Sequence, residues 1–322
     1  MVTTLDANGK ATSERLRFVR EFASAQDVKR KREHREHPVL DRSLDIIAGP
    51  KTKAIPLDVL QMPYAVTTDS GHRVLVTDVG ARKVHVFDFG HLKYSVLEDS
   101  ERLRQPMGVA ADSQGDVYVT DVSSGAVLVY DAKGKFRHYL KKASESYFEA
   151  PTGIAVDPAT EHVYVCDSPR HMVMVLDKMG HVLDRLGKRG GGTGPGEFRF
   201  PMQVVAAGGE IFILDLENRR VQILDIRGRF RREIKLDHVY YRTGLAVDND
   251  LNIYVSNANE VQVFSHEGQL LYGFGQMGAK AGEFDWASGL WVDSGHCLYV
   301  VDAGNKRVQE FQVYGRTTSS CQ

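Results

Sequence analysis

The most chemically suggestive residues in this chain are acidic or amide side chains that recur at regular intervals. The series is Asp78, Asp121, Asp167, Asp215, Asn257 and Asp302. Paired carboxylates can perform acid–base catalysis, but a carboxylate repeated in nearly every unit is typical of a turn that holds backbone amides. We therefore predict a structural role for the series, through contacts with nearby backbone N–H groups or with the later arginines Arg220 and Arg307.

Histidine, glycine and cysteine give weaker signals of chemistry. Of the twelve histidines only His34 and His37 have a spacing that suits a metal, and they lie in a charge run typical of a solvated face. The glycine run at 190–194 lacks Gly-Lys-Ser/Thr and opens no helix, which indicates a turn rather than a phosphate loop. The three cysteines have no CxxC spacing, so we expect neither a disulfide framework nor a zinc site. Cys166 and Cys297 fall in strand patterns and are expected to be small core residues.

The recurring acidic and amide residues, the glycine run, Cys166 and Cys297 lie in a unit of about 45 residues that occurs six times. Each unit has three short runs of β-branched and aromatic residues separated by Gly, Asp, Asn and Ser turns, and a weaker fourth run follows. Helical periodicity over ten or more residues is absent from the repeats. The pattern predicts an all-β fold, a six-bladed β-propeller of four-stranded antiparallel blades.

The repeated motifs resemble those of the NHL-repeat family. The segments at 215–224 and 302–311 are similar to the family's Asn-x-Arg-Val-Gln-x-Phe strand, and Gly-Pro-Gly-Glu-Phe at 194–198 resembles its loop between blades. The resemblance covers about residues 63–313. It implies a six-bladed propeller, a scaffold that hosts binding proteins, scaffolds and enzymes alike.

The sixth unit lacks a fourth strand, and we predict that the N-terminus supplies it. An open ring would leave an unpaired sheet edge, and the run at 16–22 resembles the fourth-strand runs of the other units. The expected organisation is a disordered tail at 1–15, a single propeller domain at 16–315, and a C-terminal tail at 316–322. An atypical insert at about 25–62 interrupts the domain and holds a short helix near 40–47.

The first strand of each blade is expected to line the central channel. The residue after the proline of each repeat therefore shows whether the channel could hold a metal or a catalytic group. In the metal-dependent lyases that this fold resembles, histidines at this position converge on one ion. The residues here include neither histidine nor carboxylate, so we predict no metal and no cofactor. Two interpretations stay open, a mouth for a small apolar or hydroxyl-bearing group and, favoured, a water-filled channel without function. The six residues are Tyr64, Met107, Thr152, Met202, Thr243 and Ser288.

RNA binding is a further function that the family resemblance implies, because the NHL propellers of tripartite-motif proteins bind RNA on a basic face. This chain has a net charge of −1 and a pI of 6.9, whereas such a domain usually has a pI above about 9. Basic clusters occur at 29–35 and 227–232, and the second is interpreted as a solvated strand edge that blocks edge pairing. Nucleic acid is therefore disfavoured as a partner.

The sequence favours a non-catalytic binding or scaffolding propeller that engages a protein or peptide, or a small ligand at the channel mouth. The competing hypotheses are a lyase or hydrolase with an unfamiliar site and an RNA-binding NHL domain. No stretch of about 18 apolar residues occurs, and no basic and apolar leader follows Met1. We expect a soluble cytoplasmic protein, or an exported one if a signal segment preceded the present start. The sequence does not indicate an oligomeric state.

Overall fold

A ring of six antiparallel sheets forms the computed structural model of this protein, which describes residues 4–5, 16–29, 59–97, 101–140, 148–313 and 321. The predicted six-bladed β-propeller is confirmed. Each blade has an inner, a second, a third and an outer strand, and in blades 1 to 5 this is also their order along the chain.

The strands of the first three blades are regular and short. Blade 1 contains Pro63–Thr68, Val74–Asp78, Lys83–Asp88 and Lys93–Leu97. Blade 2 contains Pro106–Ala111, Val117–Asp121, Ala126–Tyr130 and Phe136–Leu140. Blade 3 contains Pro151–Val156, Val163–Asp167, Met172–Leu176 and Val182–Gly187, with the 3-10 turn Ser168–Arg170 between its second and third strands.

The last three blades follow the same plan with two additions from the N-terminus. Blade 4 contains Pro201–Ala207, Glu210–Asp215, Arg220–Asp225 and Phe230–Lys235. Blade 5 contains Leu245–Val247, Ile253–Asn257, Glu260–Phe264 and Leu270–Phe274, and Thr4–Leu5 pairs with its outer edge. Blade 6 contains Ala287–Val292, Cys297–Asp302, Arg307–Val313 and, as its outer strand, Leu16–Phe22. The helix Ala25–Lys29 follows that strand.

The N-terminal strand closes the ring, as predicted. Leu16 lies opposite Val313 and Phe22 opposite Val308 in an antiparallel pairing. The two ends of the strand, Leu16 and Phe22, are buried in the junctions of blade 6 with its neighbours. The edge that an open sixth blade would expose is therefore paired.

The blades are held together by apolar side chains that point sideways, toward the neighbouring blades. Successive side chains of a strand face opposite sides of its sheet, and both sides are covered in a propeller, so the second strands are largely apolar and end in buried polar residues such as Asp121. Val117–Asp121 and Val163–Asp167 are buried at every position. One apolar cluster lies at each junction between blades. The inner strands therefore turn their backbone edges, rather than a side-chain face, toward the channel.

The expectation that the cysteines form no disulfide is wrong. Cys297 and Cys321 are joined, which ties the end of the chain to blade 6. Cys321 comes from a polar tail without a strand pattern, and sequence spacing alone does not give the path of such a tail. Cys166 is a buried free thiol in the junction between blades 3 and 4, as predicted.

Several sequence predictions concern parts of the chain outside the described residues. The helix near 40–47, the pair His34 and His37, most of the basic cluster at 29–35 and most of both tails belong to this group. The domain boundaries stay a prediction, although Thr4–Leu5 in the expected tail forms a strand. No helix in the described ranges has the length and apolar character to cross a membrane. The expected compartment also stays a prediction.

Candidate functional site

The recurring aspartates are structural, as the sequence interpretation predicts. Asp78 accepts hydrogen bonds from the backbone N–H groups of Gln61 and Met62 at 2.6 and 3.0 Å, and equivalent contacts occur in other blades. Burial alone would raise the pKa of Asp78, but hydrogen bonds from His85 and backbone amides outweigh it and lower the pKa. The carboxylates thereby fix the segments that enter the inner strands.

Two blades reinforce this contact with arginine. Arg220 Nε lies 2.8 Å from Asp215 Oδ2, and Arg307 Nε lies 2.8 Å from Asp302 Oδ2. Arg220 also donates to the carbonyls of Thr193 and Gly194 in the glycine run, which is a turn anchored by this guanidinium. The pairing predicted from the sequence is therefore present in blades 4 and 6.

The six predicted channel-mouth residues lie at the start of the inner strands, where neighbouring blades meet. All are buried except Met107, which is half-buried. Ser288 Oγ donates to the Tyr64 carbonyl at 3.3 Å, and Thr152 Oγ1 lies 2.7 Å from Ser168 Oγ. Burial raises the pKa of Tyr64 to about 12. The side chains of Tyr64, Met107, Thr152, Met202, Thr243 and Ser288 are absent from the lining of the described cavity, and their role as a site stays a prediction.

The junctions between blades are also closed by hydroxyl groups that the sequence analysis did not identify. Thr77 donates to the Met107 carbonyl and Thr120 to the Thr152 carbonyl, each at 2.6 Å. Ser168 and Ser256 make the same contact with the next blade. In the sequence, these contacts correspond to a Ser or Thr near the end of the second strand. The acceptor carbonyl belongs to the next blade, so the role of the hydroxyl could be recognised only from the structure.

A central cavity of about 590 Å³ lies between the inner strands. Its wall includes Val66, Ile154, Val247 and Leu290, and its volume is within the range of small-molecule sites. Glu161 at its rim is already paired, with its carboxylate 2.8 Å from Lys178 Nζ. Among the described residues, the only group of three potential metal ligands comprises Cys297, Glu310 and Cys321 of blade 6, away from this channel.

A second feature lies on the face of the ring where the inner strands begin, here called the proline face. One residue directly precedes the proline position at which the inner strand of each repeat begins. This residue is large and apolar in blades 4, 5, 6 and 1, which are consecutive around the ring. Blades 2 and 3 carry Gln105 and Ala150 instead. Together with the adjacent Tyr240, these large residues are called the aromatic arc: Met62, Phe200, Tyr240, Tyr241 and Trp286.

The aromatic arc is continuous from blade 4 to blade 6, and all of its members except the half-buried Phe200 are exposed. The exposed fractions are 43% for Met62, 65% for Tyr241 and 39% for Trp286. The ring centroids of Phe200 and Tyr241 are 6.1 Å apart, and those of Tyr240 and Trp286 are 5.7 Å apart. Contiguous exposed aromatic groups are uncommon on surfaces that bind nothing.

Two members of the arc adopt an unfavourable backbone conformation. Phe200 has φ 59° and Trp286 has φ 65°, in the left-handed region, where a bulky residue costs on the order of 1–3 kcal/mol. The conformation is held by hydrogen bonds, since Phe200 N–H donates to His171 Nδ1 at 3.1 Å and Ala303 N–H donates to the Trp286 carbonyl at 3.1 Å. The fold thus accepts strain where it presents two aromatic rings.

Charges of both signs surround the aromatic arc. Arg199 and Arg219 are exposed on blade 4, and Glu217, Asp237 and Asp285 are exposed nearby in sequence. The basic cluster at 227–232 lies away from this face, and three of its arginines, Arg229, Arg231 and Arg232, pair with carboxylates. The proline face is therefore mixed in charge rather than uniformly basic.

Comparison with known proteins agrees with the fold. A family model described as NHL repeat matches residues 103–130, the first three strands of blade 2. The matched repeat and the six-bladed ring agree with an NHL-repeat propeller. The chain is 27% identical over 134 residues to "Protein brain tumor" of Drosophila melanogaster, a match that covers 41% of this chain and 13% of that protein. The chain therefore corresponds to a small part of this relative.

Solved structures share the architecture at low identity. A streptogramin B lyase has a TM-score of 0.58 and 10% identity, over 78% of this chain and 79% of its own. A gluconolactonase from Xanthomonas campestris has a TM-score of 0.64 and 15% identity, over 79% and 87% of the two chains. At such identities the likeness concerns the fold alone.

Proposed function

We propose that this protein is a non-catalytic binding or scaffolding propeller that engages a protein or peptide through the aromatic arc. The observation that carries the proposal is the run of large side chains over four consecutive blades, which is exposed at Met62, Tyr241 and Trp286 and half-buried at Phe200. The left-handed conformation of Phe200 and Trp286 also occurs at turn residues such as Arg219, so the proposal rests on the exposed and contiguous rings rather than on backbone strain.

The composition of the aromatic arc suits a protein partner. Tyr, Trp, Met and Arg are enriched in protein interfaces, and buried aromatic anchors at the centre of an interface carry most of its binding energy. Exposed charges of both signs, such as Arg219 and Asp285, would form the polar rim of such an interface. A partner peptide would bury Tyr241 and Trp286 and pair its own charges with this rim.

RNA binding is the second candidate, and one observation favours it. Arg199 precedes Phe200 and Arg242 follows Tyr241, and aromatic rings beside guanidinium groups can stack unpaired bases and contact phosphates. The mixed charge of the proline face argues for the protein partner instead, because phosphate contacts supply most of the affinity for nucleic acid.

Binding of a small ligand in the channel and a lyase or hydrolase activity have weaker support. The cavity of about 590 Å³ would hold a small molecule. The lyase and the gluconolactonase support only a common fold, at 10% and 15% identity. Neither function accounts for the exposed aromatic arc.

Photo-cross-linking tests the proposal. A benzophenone amino acid replaces Tyr241 in the full chain, and the matched control carries it at Leu183, an exposed residue of the outer strand of blade 3. In the native host we expect a specific protein adduct from position 241 and none from 183, with a yield that falls at least about tenfold when Trp286 is also changed to Ala. Equal adducts from both positions would refute the proposal, and a nuclease-sensitive adduct would establish RNA as the partner.

A further inference from the structure

Three potential metal ligands that the proposed binding function does not use lie together in blade 6. The ligand atoms of Cys297, Glu310 and Cys321 are all within 4.8 Å of one another, and the three residues are buried. We propose that reduction of the Cys297–Cys321 disulfide converts this cluster into a zinc site with two thiolates and one carboxylate as protein ligands.

The sheet brings two of the ligands to the same side of blade 6. Cys297 lies opposite Gln312 and Tyr299 lies opposite Glu310 in neighbouring antiparallel strands. Residues two apart in a strand share a face, so Cys297 and Glu310 project from the same side of the sheet. Both belong to rigid strands and keep their spacing whatever the redox state of the sulfurs.

The third ligand is held in place by more than the disulfide. The backbone N–H of Cys321 donates to Gln312 Oε1 at 2.6 Å, and the residue is almost fully buried against the blade 6 core. These contacts do not involve the sulfur. They keep the Cys321 thiol close to Cys297 and Glu310 after the sulfur–sulfur bond is broken.

The charges around the cluster balance when zinc is bound. Arg20 Nε lies 2.7 Å from Glu310 Oε2, so the buried carboxylate already has one positive partner. Two thiolates and the carboxylate carry three negative charges, which Zn²⁺ and the Arg20 guanidinium neutralise together. Thiolate ligands favour zinc over magnesium or calcium, which prefer oxygen alone. Three protein ligands leave the fourth position of a tetrahedral ion to water.

The conversion needs a reductant, which we take to be a dithiol. The dithiol transfers two electrons and two protons, so that the Cys297–Cys321 bond breaks, two thiols form and the reductant becomes a disulfide. Zn²⁺ then displaces the two thiol protons as it binds. The cluster is thus a disulfide in an oxidising compartment and a zinc site in a reducing one.

Zinc retention by the full chain tests the inference. The protein is reduced with dithiothreitol under nitrogen, freed of reductant, mixed with one equivalent of zinc chloride and dialysed, and its zinc is then measured by elemental analysis. We expect one zinc per reduced chain and none in the untreated disulfide form. Cobalt in place of zinc gives a thiolate charge-transfer band, which reports directly on sulfur ligation.

Three variants separate the site from general effects. Cys321→Ser should abolish the cobalt band. Glu310→Gln should weaken zinc binding at least about tenfold, since mutation of a residue that only hydrogen-bonds a metal ligand already lowers metal affinity 10- to 100-fold. Cys166→Ser removes the remaining thiol, which lies in another blade junction, and should change nothing. A reduced wild-type chain without zinc, or a Cys321→Ser chain that retains as much as the wild type, would overturn the inference.

Discussion

Replacement of Phe22 with alanine tests how the N-terminal strand closes the ring. Phe22 is 1% exposed, and its ring centroid lies 4.8 Å from that of Phe87 and 5.0 Å from that of Phe89 in blade 1. The side chain therefore joins the closing strand to the next blade. Truncation of a buried phenylalanine to alanine costs about 3–5 kcal/mol, from lost burial and from the cavity that remains.

Urea denaturation followed by circular dichroism measures this loss. The matched control is Leu183→Ala, also in an outer strand but 48% exposed, which should change the free energy of unfolding by no more than about 0.5 kcal/mol. We expect a lower midpoint for Phe22→Ala with an unchanged slope, and a loss of several kcal/mol when residues 1–24 are deleted. If Phe22→Ala unfolds at the same midpoint as Leu183→Ala, the closing strand does not carry this junction.

Three further predictions concern the blade junctions, the pH dependence and nucleic acid. Gly108→Ala should destabilise the fold by about 1–3 kcal/mol, because the new Cβ would lie 2.5 Å from the Thr152 carbonyl oxygen, whereas Gly90→Ala meets its first neighbour at 3.6 Å and should be nearly neutral in thermal melts. Burial alone would raise the pKa of Glu210, but hydrogen bonds from His266 and a nearby arginine outweigh it and lower the pKa. The wild type should therefore have a higher free energy of unfolding than Glu210→Gln at pH 7. This difference should shrink as the pH falls below about 4.3. Filter binding should give a dissociation constant for single-stranded RNA no tighter than about 1 μM at physiological salt, weakening as salt rises, and a nanomolar sequence-selective complex would favour RNA over a protein partner.

The fold could be predicted because each sequence repeat contains the strand pattern of one blade. The recurring Asp or Asn that ends a buried strand, as at Asp121, indicated the number of blades. The missing strand after Val313 indicated that Leu16–Phe22 closes the ring. Both inferences rest on a local pattern and on the cost of an unpaired edge. The Cys297–Cys321 disulfide depends on the path of the tail, which no local pattern encodes.

The candidate site was only partly accessible from the sequence. The inner strands present a backbone edge to the channel, so a side chain such as Thr152, two residues after the arc position of its repeat, points into a blade junction instead. The aromatic arc could have been found by aligning Met62, Phe200 and Trp286 at one position of the repeat. The left-handed backbone at Phe200 and Trp286 required the structure, since neither residue type favours it.

The dissociation constant of the partner cross-linked at position 241 tests the proposed binding surface most directly. Calorimetry would compare the wild type with the double variant Tyr241→Ala and Trp286→Ala, and with a control double variant at the exposed residues Met179 and Leu183. Loss of an aromatic anchor at the centre of an interface costs about 2 kcal/mol or more, so the arc variant should bind at least about 30-fold more weakly while the control binds like the wild type. Wild-type affinity in a folded arc variant would contradict the account.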